Sequence, residues 1–431
     1  MKAFMITTLV ALLLAGCTGE PPAEPGSAGG SLSSSAPEAA PARGTQPASA
    51  PESAPAEGTQ PASWPEPAPA VLGGRSTDGN VARKDLDARI AGITQAVARG
   101  ARMKGMRATL VDALLARTGY FGTYSDFDRA LALADEEVAL APTSPEALTL
   151  RARVLSALHR FDEAVAIVEP LAADHAPAAK ALQAVKLARG EDLAKILAER
   201  RALADKHPSY GSWTGVAVVE ARLGNFEAAD KAYREAIEVY RDVSPMAFAW
   251  VAFQRGVMWA ERAGQRARAF LLYQEAVKRL PGYVVAQVHL AELESSFGLE
   301  AEAIARLSPI KTENPEPAGL LSELVSSSDP SRSAALVKEA RDQYNSLLGS
   351  HRLAFADHGS EFFAGPGDDP ALGLKLAKEN LANRATERAR LVAIRASLAA
   401  DDSEGACALA KGAPAKPVSV PLAEIVASAC P

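Results

Sequence analysis

Over residues 252–263 and again over 267–278, apolar positions return at the spacing of a helix with one buried face. Gly264 interrupts the two runs where the chain must turn sharply, so the pattern predicts a helix, a tight turn and a second helix. Small Ala269 and Ala276 let the two helices approach, and Tyr273 fills the space between them. Pro281 ends the unit, because proline lacks the N–H a helix needs and clashes with the preceding turn. The pattern then repeats: Gly264 to Gly298, Ala269 to Ala303 and Pro281 to Pro315 each advance by 34 residues. A fixed period of that length is the mark of a repeat architecture. One such pair cannot bury its apolar face alone, and stacking on neighbours completes the core.

The same offsets recur elsewhere. Phe127, Asp128, Ala130 and Pro142 form one copy, and Phe161, Asp162, Glu163 and Ala164 the next. Gly224, Phe226, Ala229, Tyr233 and Ala236 form another, with Trp213 in its first helix. Taken together the spacing resembles that of the tetratricopeptide repeat family. The resemblance implies an all-α, right-handed solenoid of about eight stacked hairpins. Between Ala164 and Ala229 there is room for one further unit, centred on Gly190 and Ala194, with a shortened first helix. Residues 241–246 interrupt the spacing, and after Pro315 the match weakens to apparent second helices at 334–348, 371–381 and 406–410. Residues 84–99 read as a lead-in helix, and 119–124 as a long aromatic loop.

Ahead of the repeats stands a different kind of sequence. Lys2 and the apolar run 4–14 read as a secretory signal too short to span a membrane. Its end, Leu14-Ala15-Gly16-Cys17, resembles the bacterial lipoprotein box, which implies lipidation of Cys17 after cleavage and an outer-membrane location. From Thr18 to about residue 80, Pro, Ala, Ser, Gly and Glu leave almost nothing to bury, so a disordered tether is expected, averaging about 40–45 Å if ideally coiled. The expected domains are therefore 1–16 signal, 17–80 anchored linker, 81–412 solenoid and 413–431 C-terminal cap.

The net charge of −6 argues against a nucleic-acid surface. No phosphate loop, zinc-protease motif or nucleophile elbow is present, and 365–370 reads as a helix-breaking turn capped by Asp369. His351 and His358 could share a helical face, but no neighbouring ligands complete a metal site. No cofactor or catalytic residue is expected. Cys407 and Cys430 suggest a disulfide in an oxidising envelope, with two buried thiols as the alternative. The leading expectation is a non-catalytic envelope scaffold for protein partners. Its implied concave stripe holds Thr214, Val218, Arg222, Gln254, Met258, Arg262, Val288 and Glu292. The alternative is a glycan or peptidoglycan binder using exposed Trp250 and Trp259.

Overall fold

The computed structural model describes residues 73–100 and 105–430. The leader, Cys17, the tether up to residue 72 and residues 101–104 lie outside them. Every regular element among the described residues is a helix. The lead-in helix α1 (Gly79–Ala98) starts where the Asp78 carboxylate accepts from the Asn80 and Val81 N–H groups. Hairpins follow as pairs: α2 (Met106–Phe121) with α3 (Asp126–Leu140), α4 (Pro145–Ala157) with α5 (Phe161–Val168), and α6 (Ala176–Arg189) with α7 (Leu193–Lys206). Next come α8 (Tyr210–Arg222) with α9 (Phe226–Val239), α10 (Pro245–Val257) with α11 (Arg266–Arg279), and α12 (Val284–Ser296) with α13 (Glu300–Leu307). The seventh pairs α14 (Glu316–Val325) with the first arm of the long α15 (Pro330–Ala364), which breaks at His351. Its second arm pairs with α16 (Pro370–Asn383), and α17 (Glu387–Ala399) with α18 (Ser403–Lys411). A final helix, α19 (Val420–Ser428), lies across the end.

The described residues thus hold nine hairpins, one more than the spacing suggests. The local chemistry accounts for the boundaries. Gly264 and Gly298 turn their hairpins with φ of 69° and 78°, a left-handed conformation that costs other residues dearly. Ser209 and Ser212 form a reciprocal capping box at the start of α8, an arrangement whose Ser is worth about 1 kcal/mol over Ala. Ala130, Ala164, Ala229, Ala269 and Ala303 are all fully buried where second helices meet first ones. Gly256 serves the same closeness, since a Cβ there would stand 2.4 Å from the Tyr273 ring.

Three local expectations are corrected. The α6 helix is full length, and the shortening falls on α5, because Pro170 sits in the 3-10 turn Glu169–Leu171 that ends it. The surplus assigned to 241–246 lies mainly in the helix that starts at Pro245, which runs on through a π turn, Met258–Arg262. Gly119, Tyr120 and Phe121 belong to α2 rather than to a loop, and all three are buried.

Curvature decides the rest. The first six hairpins curl until the first meets the sixth: the rings of Tyr120 and Tyr283 stand edge to face at 5.0 Å between centroids. Tyr120 and Tyr210 donate their hydroxyls to the Met246 and Ala247 carbonyls at 3.3 Å, so the lumen is filled with side chains. The segment before α1 latches the closure, with the Thr77 N–H donating to the Val243 carbonyl at 2.8 Å.

The later hairpins stack on the turn edge of this first ring. His351 meets Asp128 at 2.9 Å, and His159 Nδ1 meets the Leu353 carbonyl at 3.1 Å. Asn383 donates to the His159 carbonyl at 3.0 Å. Val418 and Val420 cover Gly224 and Gly264, and Cys407 and Cys430, joined by a disulfide, tie α18 to the end of the chain beyond α19.

Candidate functional site

Closure of the ring settles where the expected groove residues go. Thr214, Val218, Gln254, Met258 and Val288 are buried, and Arg222, Arg262 and Glu292 are half-buried. Val288 packs against Ala303, Leu307 and Leu320 of its own and the next hairpin, and the Arg262 end of the stripe is covered by the chain's own C-terminal part. Arg262 donates to the Arg222 carbonyl at 3.1 Å and stands 3.9 Å from the Glu387 carboxylate. Glu387 in turn accepts from the Val418 and Ser419 N–H groups at 2.8 and 2.9 Å, pinning the C-terminal segment over the stripe. An open concave groove at these positions is therefore corrected: the superhelix is too tightly wound to leave one.

Trp250 and Trp259 are 3% and 1% exposed, so neither offers a face to a sugar. Trp259 donates its indole N–H to Asp230 at 3.1 Å and lies under Arg268. His351 and His358 do not share a face either. The break in α15 sends the first to Asp128, and the second faces Glu316 at 3.3 Å. Asp369 caps α16 by accepting from the Leu372 N–H at 3.1 Å.

Between the two layers lies a buried ionisable network. Asp357 binds Arg384 at 2.9 Å and Asn380 at 3.1 Å, and Arg388 binds Glu361 at 2.6 Å. His289 faces Glu261 at 3.3 Å and Glu292 at 3.4 Å. Burial pushes the Glu261 carboxyl up to about 8 and the His289 imidazole down to about 4, so both are neutral near pH 7. Burial, followed by the Asp357 charge, raises Glu361 to about 8 against the pull of Arg388. The space beside Glu316, His358 and Glu361 amounts to about 20 Å³, room for about one water. This network joins layers and is closed to a substrate.

Open space lies on the opposite edge of the ring, where one hairpin passes to the next. One cleft of about 470 Å³ sits between α1, α2 and the starts of α8 and α10. Leu86, Tyr210, Tyr240, Val243 and Met246 give it an apolar wall, and Asp85, Arg89 and Asp242 add charge. A second cleft of about 460 Å³ lies between α6, α7 and α8, and Ser209 and Gly211 line both. Its floor includes Arg200, which is 9% exposed. The guanidinium is held from two sides, Nε donating to Gln183 at 2.8 Å and Nη1 to the Gly215 carbonyl at 3.0 Å. Burial lowers it to about 10, with no carboxylate opposing the shift.

Sequence reasoning passed over both clefts because their walls are assembled from inter-hairpin loops, α1 and parts of helices from separate hairpins. One signal was available: Ile196, Arg200 and Ala204 fall at i, i+4 and i+8 on the buried face of α7, so an arginine interrupts an apolar stripe.

The class defined by this fold is an all-helical stack of hairpins. No family model and no curated protein matches the chain. Solved structures do. The APC/C hetero-tetramer Cut9–Hcn1 matches at 12% identity over 80% of this chain and 66% of that one, with a TM-score of 0.41. Yeast Tom70 matches at 12% identity over 80% of this chain and 96% of that one, with a TM-score of 0.32. The P58(IPK) TPR domain matches at 13% identity over 80% of this chain and 97% of that one, with a TM-score of 0.22. The chain spans just under two thirds of the first of these.

Proposed function

We propose that this protein is a lipid-anchored, tetratricopeptide-like scaffold of the cell envelope that binds protein partners without catalysing a reaction. The observation that carries this reading is the stack of helical hairpins itself, whose inner face is filled and whose inter-hairpin edge presents two adjoining clefts. Such a body offers a long, rigid surface built from loops and helix ends, suited to gripping an extended segment of another protein. Anchoring rests on the sequence, in which Cys17 follows an apolar leader and precedes a long Pro- and Ala-rich stretch. Several acyl chains on one cysteine would hold the protein stably, where one chain alone binds marginally.

Two measurements on the native envelope test the reading. Cys17→Ser should move the protein from the membrane to the soluble fraction. Photo-crosslinkers placed at Val243 and Leu203, at the two clefts, should capture a protein partner that one placed at exposed Leu140, which lines neither cleft, does not. Unchanged detergent-phase partitioning of the Cys17 variant refutes the anchor, and capture from Leu140 alone refutes the site.

A further inference from the structure

We propose that Arg200 is a receptor for a carboxylate carried by an extended partner segment, which lies in the second cleft and continues past Ser209 and Gly211 into the first. This deepens the scaffold reading and rests on it. The case begins with charge. Among the described residues no carboxylate lies within ion-pair distance of Arg200, although the guanidinium is nine-tenths buried. Glu199 lines the same cleft but does not pair with Arg200: it accepts from the Gln183 amide at 2.9 Å and stands 4.0 Å from Lys195. A buried cation without a counter-charge is costly, and a protein that keeps one in an open cleft gains when an anion arrives.

Geometry gives the same answer. Gln183 and the Gly215 carbonyl fix the plane of the guanidinium and leave Nη2 over, so the donor is aimed before a ligand binds. Gly215 is what lets Arg200 lie flat on α8, since a Cβ there would meet Nη1 at 3.3 Å. Ala176, Ala179, Gly211 and Ser212 keep the walls small. The first turn of α8, in which Ser209 caps the Ser212 N–H, faces the same space and adds partial positive charge. Beside them Leu203 is 52% exposed, an apolar shelf on the rim. A carboxylate with an apolar neighbour fits this combination. Two clefts of about 460 and 470 Å³ that share Ser209 and Gly211 in their walls offer room for several residues rather than for one small acid.

The test is calorimetry on the full mature protein with three probes. They are acetyl-Ala-Val-Ala-Leu as the free acid, the same peptide as its amide, and acetyl-Ala-Val-Glu-Leu-amide. The amide should not bind. Binding of the free acid identifies a chain end as the source of the carboxylate, and binding of the glutamyl peptide identifies a side chain. Arg200→Gln should weaken the binding probe at least tenfold. Leu203→Asp should do the same with an unchanged melting curve, because residue 203 is exposed and lies three positions from Arg200 on one helical face, where it brings its own carboxylate. The proposal is overturned if all three probes bind alike, if none binds, if binding survives Leu203→Asp, or if inorganic phosphate displaces the peptide at equal concentration. Membrane release of the Cys17 variant and crosslinking of a partner do not depend on this result, so its failure leaves the scaffold reading standing.

Discussion

Tyr120 in the first hairpin and Tyr283 at the start of the sixth meet ring to ring at 5.0 Å, one of the contacts that turn an open spiral into a closed one. In an open solenoid each repeat touches only its neighbours and stability is a sum of local terms. Here the first hairpin also depends on the sixth. Tyr283→Ala should therefore cost about 3 kcal/mol, as large-to-small changes at buried aromatic positions do, and also loosen the ring. Denaturant titration reads the first effect, and small-angle scattering reads the second as a larger radius of gyration. A stability loss with unchanged dimensions would show that other contacts close the ring by themselves.

Asp230 is the partner on which a fully buried arginine depends. Arg255 is 0% exposed and donates to Asp230 through Nε at 2.8 Å and Nη2 at 3.2 Å, while Trp259 adds a third bond to the same carboxylate. Removing one member of such a pair strands the other charge, so Asp230→Ala should cost about 3–5 kcal/mol. Replacing both charges, with Asp230→Leu and Arg255→Met, should recover most of that loss. Equal instability of the single and double variants would assign the role to packing alone.

The buried carboxyls set a pH dependence of unusual sign. Glu261 ordinarily ionises near 4.5 but is held at about 8 in the fold, so between those values the folded state keeps a proton that the unfolded chain has released. That contribution is fully present below pH 4.5 and is lost as pH rises through 8. His289 and His159, lowered by burial from 6.5 to about 4 and about 3, act oppositely: their contribution is present above 6.5 and lost as pH falls. Below 6.5 the two effects oppose each other, and between 6.5 and 8 only the carboxyl term remains. Stability should fall over that interval, with Glu361 contributing as well, and Glu261→Gln should make the fall shallower. The urea midpoint measured at pH 6.5 and 8.5 decides it, a flat wild-type profile counting against a neutral Glu261.

The repeat unit was legible because it is local. Gly264 and Gly298 mark turns, Ala269 and Ala303 mark close helix contacts, and both signals keep one period. The extra hairpin was hidden because the break in α15 falls at His351, with φ of −138°, an extended conformation open to any residue, while the nearby Gly349 stays helical. Curvature was not legible at all. It accumulates from small rotations between hairpins and is fixed by contacts distant in sequence, such as that of Tyr120 with the Met246 carbonyl. For this reason the residues assigned to an open groove from their helical positions are buried or half-buried instead. Arg200 was overlooked because its meaning depends on Gln183 and Gly215, which belong to the helices on either side of α7.

Arg222 and Arg262 give the sharpest contrast between an open and a closed superhelix. On an open groove, reversing both charges would weaken partner binding and leave the melting temperature alone. In the closed form Arg262 lies 3.9 Å from Glu387, donates to the Arg222 carbonyl, and is covered by the segment that Glu387 pins through Val418 and Ser419. Burial lowers Arg222 to about 9, with Arg262 and Arg384 adding repulsion, so this pocket is already crowded with charge and short of water. A glutamate at 262 would face Glu387 without a cation between them. Arg262→Glu should therefore destabilise the fold by about 3 kcal/mol. It should also expose the C-terminal segment to protease, with cleavage near 412–419 preceding global unfolding. Adding Glu387→Gln, which removes the like charge and keeps an oxygen for the Val418 and Ser419 N–H groups, should recover part of both resistance and stability. Protease-resistant, normally melting Arg262→Glu protein would mean that the C-terminal hairpin does not seal the stripe, and the open-groove reading would regain its place.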